Sequence, residues 1–188
     1  YHLEQYDGNN NEPDYLYDVI ETSDGNYVAV GRSYVRSSSS DHYYPLIIKF
    51  NEDGIIYANH LIESPLRNID SNLSVLELDN GNLLLAGQST NNYALIIQAT
   101  SEGDFISLGM DHLNFNISTG SSRFFDAIHT IDNKLLLFGW ADDGFQAYDF
   151  LTVKMDQQMN IEWIDYDGNV FNRDDYGHGI VQLSDNTV

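Results

Sequence analysis

Residues 23–31 read SDGNYVAVG, and the chain writes nearly the same phrase twice more, as DNGNLLLAG at 79–87 and IDNKLLLFG at 131–139. Each copy joins turn-forming residues to a short apolar run that ends in glycine. The turn markers Asp24, Asn80, Asp132 and Asp185 recur at intervals of a little over fifty residues. A second series is Gly31, Gly87 and Gly139, and a third is PLIIKF at 45–50, ALIIQA at 94–99 and FLTVKM at 150–155. Three independent markers in constant order establish an internal repeat, and its period is the first thing a fold must explain.

Inside one unit every signal is strand or turn. LYDVIET (16–22) reads as a first strand, Asp24-Gly25 as hairpin turn residues, NYVAVG (26–31) as a second strand, YPLIIKF (44–50) as a third and IIYANHLI (55–62) as a fourth. The corresponding segments are 73–78, 82–88, 93–99 and 105–110 in the second unit, and 125–131, 134–140, 148–155 and 161–166 in the third. No segment has the periodicity of an amphipathic helix, so the fold is all-β. Four short antiparallel strands per unit make one β-propeller blade. The nearly continuous apolarity of YVAVG, LLLAG and LLLFG suits strands buried on both faces between stacked blades. The glycine closing each run marks tight packing or a bend.

The approximate blades are 15–62, 73–113 and 125–166 within a single propeller array. Residues 1–6 and 176–188 read as pieces of two more, because YDGNNNEPDYLYDVI (6–20) resembles YDGNVFNRDDYGHGI (166–180). Three blades are fewer than a closed ring uses. The expected object is therefore a partial propeller, its remaining blades supplied by further sequence or by a partner chain.

The phrase IETSDGNYVAVGRS…YPLIIKFNEDG resembles the bacterial propeller-type repeats of exported proteins, whose blades follow the pattern TSDGGYVLAG…DAYLVKLDENG. The first unit fits well. The second has Gln98 where the first has Lys49, and the third lacks the glycine after Asp132. The resemblance implies a surface binding or spacer module and no particular ligand.

Composition narrows the function. With 29 Asp and Glu against 8 Lys and Arg the formal net charge is −21, which repels nucleic acid and anionic lipid. No run of apolar residues is long enough to cross a bilayer as a helix, so direct membrane insertion is not expected. The absence of cysteine excludes disulfides, thiolate metal sites and a cysteine nucleophile. The acidic, tyrosine- and asparagine-rich composition fits a bacterial extracellular or cell-surface setting.

Several side chains are candidates for chemistry. Tyr34, Tyr43, Tyr44, Trp140 and Phe145 fall in or beside the loops joining second and third strands, where aromatics stack on sugars or anchor proteins. Their competing role is packing near the rim. Asp165, Asp167 and Asn169 resemble the start of a calcium loop but lack its closing glutamate, so Ca2+ is the one cofactor considered, against a plain turn. Asp18, Ser74 and Asp126 hold equivalent places in the first strands. Asp18 and Asp126 are able to project into the axial channel as a carboxylate pair, or to cap the inner edge by bonding backbone amides. The recurrence of His60 and His112 by blade marks a structural position. The reading drawn from these residues is a non-catalytic binding or structural module that contacts protein or glycan through blade-connecting loops. The alternative is a carbohydrate-active propeller enzyme that uses carboxylates on its axial face.

Overall fold

The computed structural model describes residues 12–36, 41–62, 69–89, 91–109, 121–142, 148–167 and 178–183. Twelve strands are present among them, in three four-stranded antiparallel sheets. Blade 1 holds β1 (Asp14–Glu21), β2 (Tyr27–Arg36), β3 (Asp41–Phe50) and β4 (Ile56–Leu61). Blade 2 holds β5 (Ile69–Glu77), β6 (Leu83–Ser89), β7 (Ala94–Ala99) and β8 (Phe105–Gly109). Blade 3 holds β9 (Ser122–His129), β10 (Leu135–Asp142), β11 (Tyr148–Met155) and β12 (Ile161–Asp167). Within each sheet the spatial order is the chain order. The first strands β1, β5 and β9 lie against one another, which puts them on the inner side and the fourth strands at the rim. This is a partial β-propeller-like arrangement.

The turn sequences build their hairpins in one way. In blade 1 the Gly25 amide donates to Thr22 O and the Thr22 amide donates to Asn26 O, with Gly25 at a φ of 78°. Such a loop, a type I turn followed by one left-handed residue, suits the twist of the flanking strands. Only the last loop residue needs positive φ, so Asp24 is free for another task. Gly81 repeats the geometry in blade 2, and in blade 3, where the glycine is missing, Asn133 takes the same conformation at a φ of 58°.

Asp24 belongs to a set that the repeat keeps or exchanges whole. Its carboxylate accepts from Thr22 Oγ1 at 2.7 Å and from Lys49 Nζ at 2.9 Å. Blade 3 reproduces this, with Asp132 accepting from Thr130 Oγ1 at 2.6 Å and Lys154 Nζ at 2.7 Å. Blade 2 replaces all three partners at once, with Leu78, Asn80 and Gln98. The Thr22 hydroxyl first, and Lys49 second, hold the Asp24 carboxyl well below the usual carboxylate range. Lys154 and then Thr130 lower Asp132. A depressed carboxyl stabilises the fold above its ordinary pKa of about 4, and the contribution is lost as pH falls through that value and below it. Relief of the negative net charge on acidification acts in the opposite direction. The pH dependence is therefore best read as a difference between proteins. The double variant Asp24→Asn, Asp132→Asn is expected to lose melting temperature at neutral pH, and the gap to the parent should shrink as pH drops below about 4. Thermal melts across that range check it, and a constant gap would contradict the assignment.

The core is two layers that share one blade. Leu83, Leu85, Leu95, Ile97 and Ala99 of blade 2 pack with Val28, Val30 and Ile47 of blade 1. From the same two strands Leu84, Ala86, Ala94 and Ile96 pack with Phe124, Ala127, Leu135, Leu137 and Leu151 of blade 3. Strand alternation sends neighbours to opposite faces, so a sheet sandwiched between two others has no polar face. Every residue of β6 is buried.

Candidate active site on the axial face

The pairing of β1 with β2 is interrupted once. Leu16 faces Gly31 and Asp18 faces Val30, leaving Tyr17 as an extra residue. The same irregularity recurs in blade 3, where Phe124 faces Gly139, Asp126 faces Phe138, and Phe125 is extra. These are β-bulges, which bend the strand and re-aim side chains. Each closes its backbone onto the glycine opposite. A Cβ on Gly31 would stand 1.8 Å from Tyr15 O, and one on Gly139 would stand 1.7 Å from Arg123 O. The repeated glycine is thus required in mid-strand, opposite a bulge, and β2 and β10 both run on past it.

The bulges bring Tyr17, Asp18, Phe125 and Asp126 to one pocket of about 290 Å³, completed by Leu73, Ser74 and His178. The two carboxylates come from different blades and share a hydroxyl between them. Ser74 Oγ lies 3.1 Å from Asp18 Oδ2 and 3.3 Å from Asp126 Oδ1. Its single proton serves one of them at a time.

Both carboxylates also hold backbone. Asp18 Oδ1 accepts from the Val19 amide at 2.8 Å, and Oδ2 accepts from the Val75 amide of the next blade at 2.9 Å. Asp126 Oδ1 accepts from the Ala127 amide at 2.8 Å, and Oδ2 from the Ile180 amide at 3.0 Å. Each aspartate therefore latches its own blade to the one that follows. The fourth copy of the position is Gly179, and a Cβ there would meet Asp126 Oδ2 at 3.5 Å. The series Asp18, Ser74, Asp126, Gly179 alternates a carboxylate with a small residue, which keeps like charges from meeting at adjacent sites.

An amide on each oxygen fixes the orientation of the carboxylates without exhausting their lone pairs. The shared hydroxyl sets their nearest oxygens no more than two hydrogen bonds apart. That is closer than the roughly 6.5–9.5 Å that leaves room for an attacking water between an inverting pair. Burial pushes the Tyr17 phenol above its ordinary value, and the charges of Arg32 and Arg123 oppose the rise, so two cations from different blades act beside the pocket wall. Arg32 also stacks over the Tyr43 ring at 4.1 Å and the Tyr15 ring at 5.1 Å, and Arg123 over Phe125 at 4.9 Å. His178 meets Phe125 edge to face, with ring centroids 5.2 Å apart.

The residues singled out as binders lie elsewhere. Tyr34, Tyr43 and Tyr44 stand on strands, because β2 and β3 extend to Arg36 and back from Asp41 and reduce the expected long loop to its tip. Tyr34 and Tyr43 form a cross-strand ring pair at 5.1 Å, and Tyr44 lies 6.2 Å from the His42 ring. Trp140 is on β10 with 9% of its surface exposed, packed on Tyr148 at 4.3 Å. Phe145 lies outside the described residues. Asp165 and Asp167 are on β12, opposite Thr152 and Phe150, while Asn169 lies outside the described residues. Among the described residues no three His, Cys, Asp or Glu side chains gather as a metal site would require. None of the described helices is long and apolar enough to cross a membrane.

No protein-family model and no curated sequence matches the chain. Its fold is similar to that of a solved mannose phosphorylase from Leishmania mexicana, determined in complex with a phosphate ion, at 15% identity and a TM-score of 0.50. The match covers 93% of this chain and 61% of that one, so the chain spans somewhat under two thirds of the enzyme's length. The likeness shows a propeller-like fold. It also corrects the expectation that such blades belong to a protein without catalysis, since this arrangement of sheets is one that an enzyme uses. The expectation had rested on a repeat motif that specifies a blade and says nothing of what the axial side chains do.

Proposed function

We propose that the protein is a carbohydrate-active enzyme and that the axial pocket is its active site. One observation carries the reading. Carboxylates from two blades, Asp18 and Asp126, converge on a single pocket whose walls include Tyr17 and Phe125, aromatics placed there by matching bulges. Glycosidic bond cleavage needs two carboxyl groups flanking the bond, one to protonate the leaving oxygen and one to attack or to activate the attacking group. Sugar rings pack on aromatic faces, which Tyr17 and Phe125 offer. The similar fold of a mannose phosphorylase supports a glycoside as substrate. Arg32 and Arg123 supply the positive charge that a phosphate acceptor would need in so acidic a chain. The exported-repeat motif and the acidic, cysteine-free composition support an extracellular setting.

The test is to incubate the protein with mannose-containing and glucose-containing oligosaccharides, with and without inorganic phosphate. Free sugar and sugar phosphate are then separated and quantified. Release of either is the expected result, with phosphate dependence marking phosphorolysis. No product from any glycan under either condition would overturn the proposal.

A further inference from the structure

The interface between blades 1 and 2 and the open face of blade 3 are copies of one another, with one partner missing from the second. Between blades 1 and 2 the Val75 amide donates to Asp18 Oδ2 and the Ser23 amide donates to Glu77 Oε2 at 2.6 Å. Lys49, whose side chain is 3% exposed, bridges Asp24 of its own blade and Glu102 of the next at 3.3 Å. Glu102 sits on the turn between the third and fourth strands of blade 2.

At blade 3 the first two contacts are already made by residues 178–183. The Ile180 amide donates to Asp126 Oδ2 at 3.0 Å, and the Ile131 amide donates to Gln182 Oε1 at 2.6 Å. Lys154 keeps its own-blade partner Asp132 and lines a pocket of about 310 Å³ with Ile131, Asp132 and Gln182. The corresponding place beside Lys49 is where Glu102 stands. The face also leaves apolar surface uncovered. Ile131 is 62% and Val181 66% exposed, and Trp163 is exposed opposite Lys154, in the position Ala58 takes opposite Lys49.

We propose that this face docks a fourth blade of the same repeat, formed by chain that continues from residues 178–183. The turn between its third and fourth strands places a carboxylate on Lys154, as Glu102 does on Lys49. Three observations carry it: the register of 178–183 is that of an inner strand already seated, Lys154 presents a positive charge to the pocket, and the exposed apolar residues surround it. A cation with a carboxylate on each side is a charge-assisted bridge that specifies which turn belongs there.

Zero-length carbodiimide coupling of the full-length natural protein, followed by peptide mass spectrometry, tests the proposal. Conditions are set by the appearance of the Lys49–Glu102 link, the internal standard. A link from Lys154 to a carboxylate C-terminal to residue 183 in the same chain is expected. Lys154 linked to Asp132 alone, while Lys49–Glu102 forms, would overturn it. A link to a carboxylate of a second, isotopically labelled copy would equally overturn it, and would assign the face to self-association.

Discussion

Gly139→Ala and Gly31→Ala will each destabilise the protein by about 3 kcal/mol or more, among the largest costs a single methyl can have. The atoms in the way are the carbonyl oxygens of Arg123 and Tyr15, under 2 Å from the new carbon, and both belong to backbone that is itself paired in a sheet. A flexible side chain would swing aside; a bulged strand has to give up its register. Gly25→Ala provides the contrast. Its Cβ would meet nothing within 4 Å, and the cost is that of a left-handed φ, about 1 kcal/mol. Urea denaturation midpoints for the three variants check the ranking. Equal losses at all three positions would mean that the bulges are not fixed features of the fold.

The second large effect comes from the shared blade. Leu84→Ala and Leu85→Ala are expected to cost about 2–5 kcal/mol each, although the two residues are adjacent and face opposite ways. Both are fully buried, Leu84 against blade 3 and Leu85 against blade 1. In a two-layer sheet one of any two neighbouring residues faces water and tolerates truncation. Val19→Ala on the inner strand, where the side chain is 55% exposed, should change stability by less than about 0.5 kcal/mol. If either leucine behaved like Val19, blade 2 would not be sandwiched.

Much of this architecture is legible in the repeat. Period, turn residues and the apolar LLLAG run point to four-stranded blades buried on both sides, and the structure has them. The equivalence of Asp18, Ser74 and Asp126 is readable too, and the two roles weighed for the aspartates turn out to coexist, since they bond backbone amides and line a pocket. The bulges are not legible, because one extra residue in a strand leaves no mark on a period of two. Tyr17, Phe125 and His178 therefore escape notice, although the pairing of Tyr17-Asp18 and Phe125-Asp126 with glycines on the neighbouring strand was a usable signal. The segment 32–44 reads as a loop from its serines. Its flanks, SYVR and DHYY, are rich in β-formers and continue the hairpin. That change moves Tyr34, Tyr43 and Tyr44 from loops to a packed ladder.

The most direct measurement is the rate of glycoside turnover by Asp126→Asn and Asp18→Asn, each normalised to the fraction folded because both residues also latch blades together. A carboxylate that exchanges a proton with the reacting bond is worth about 10²–10⁴ in rate, so each variant should fall at least a hundredfold below the parent while still melting cooperatively. Turnover within twofold of the parent in both variants would contradict the assignment, and would leave the two aspartates as latches between blades and nothing more.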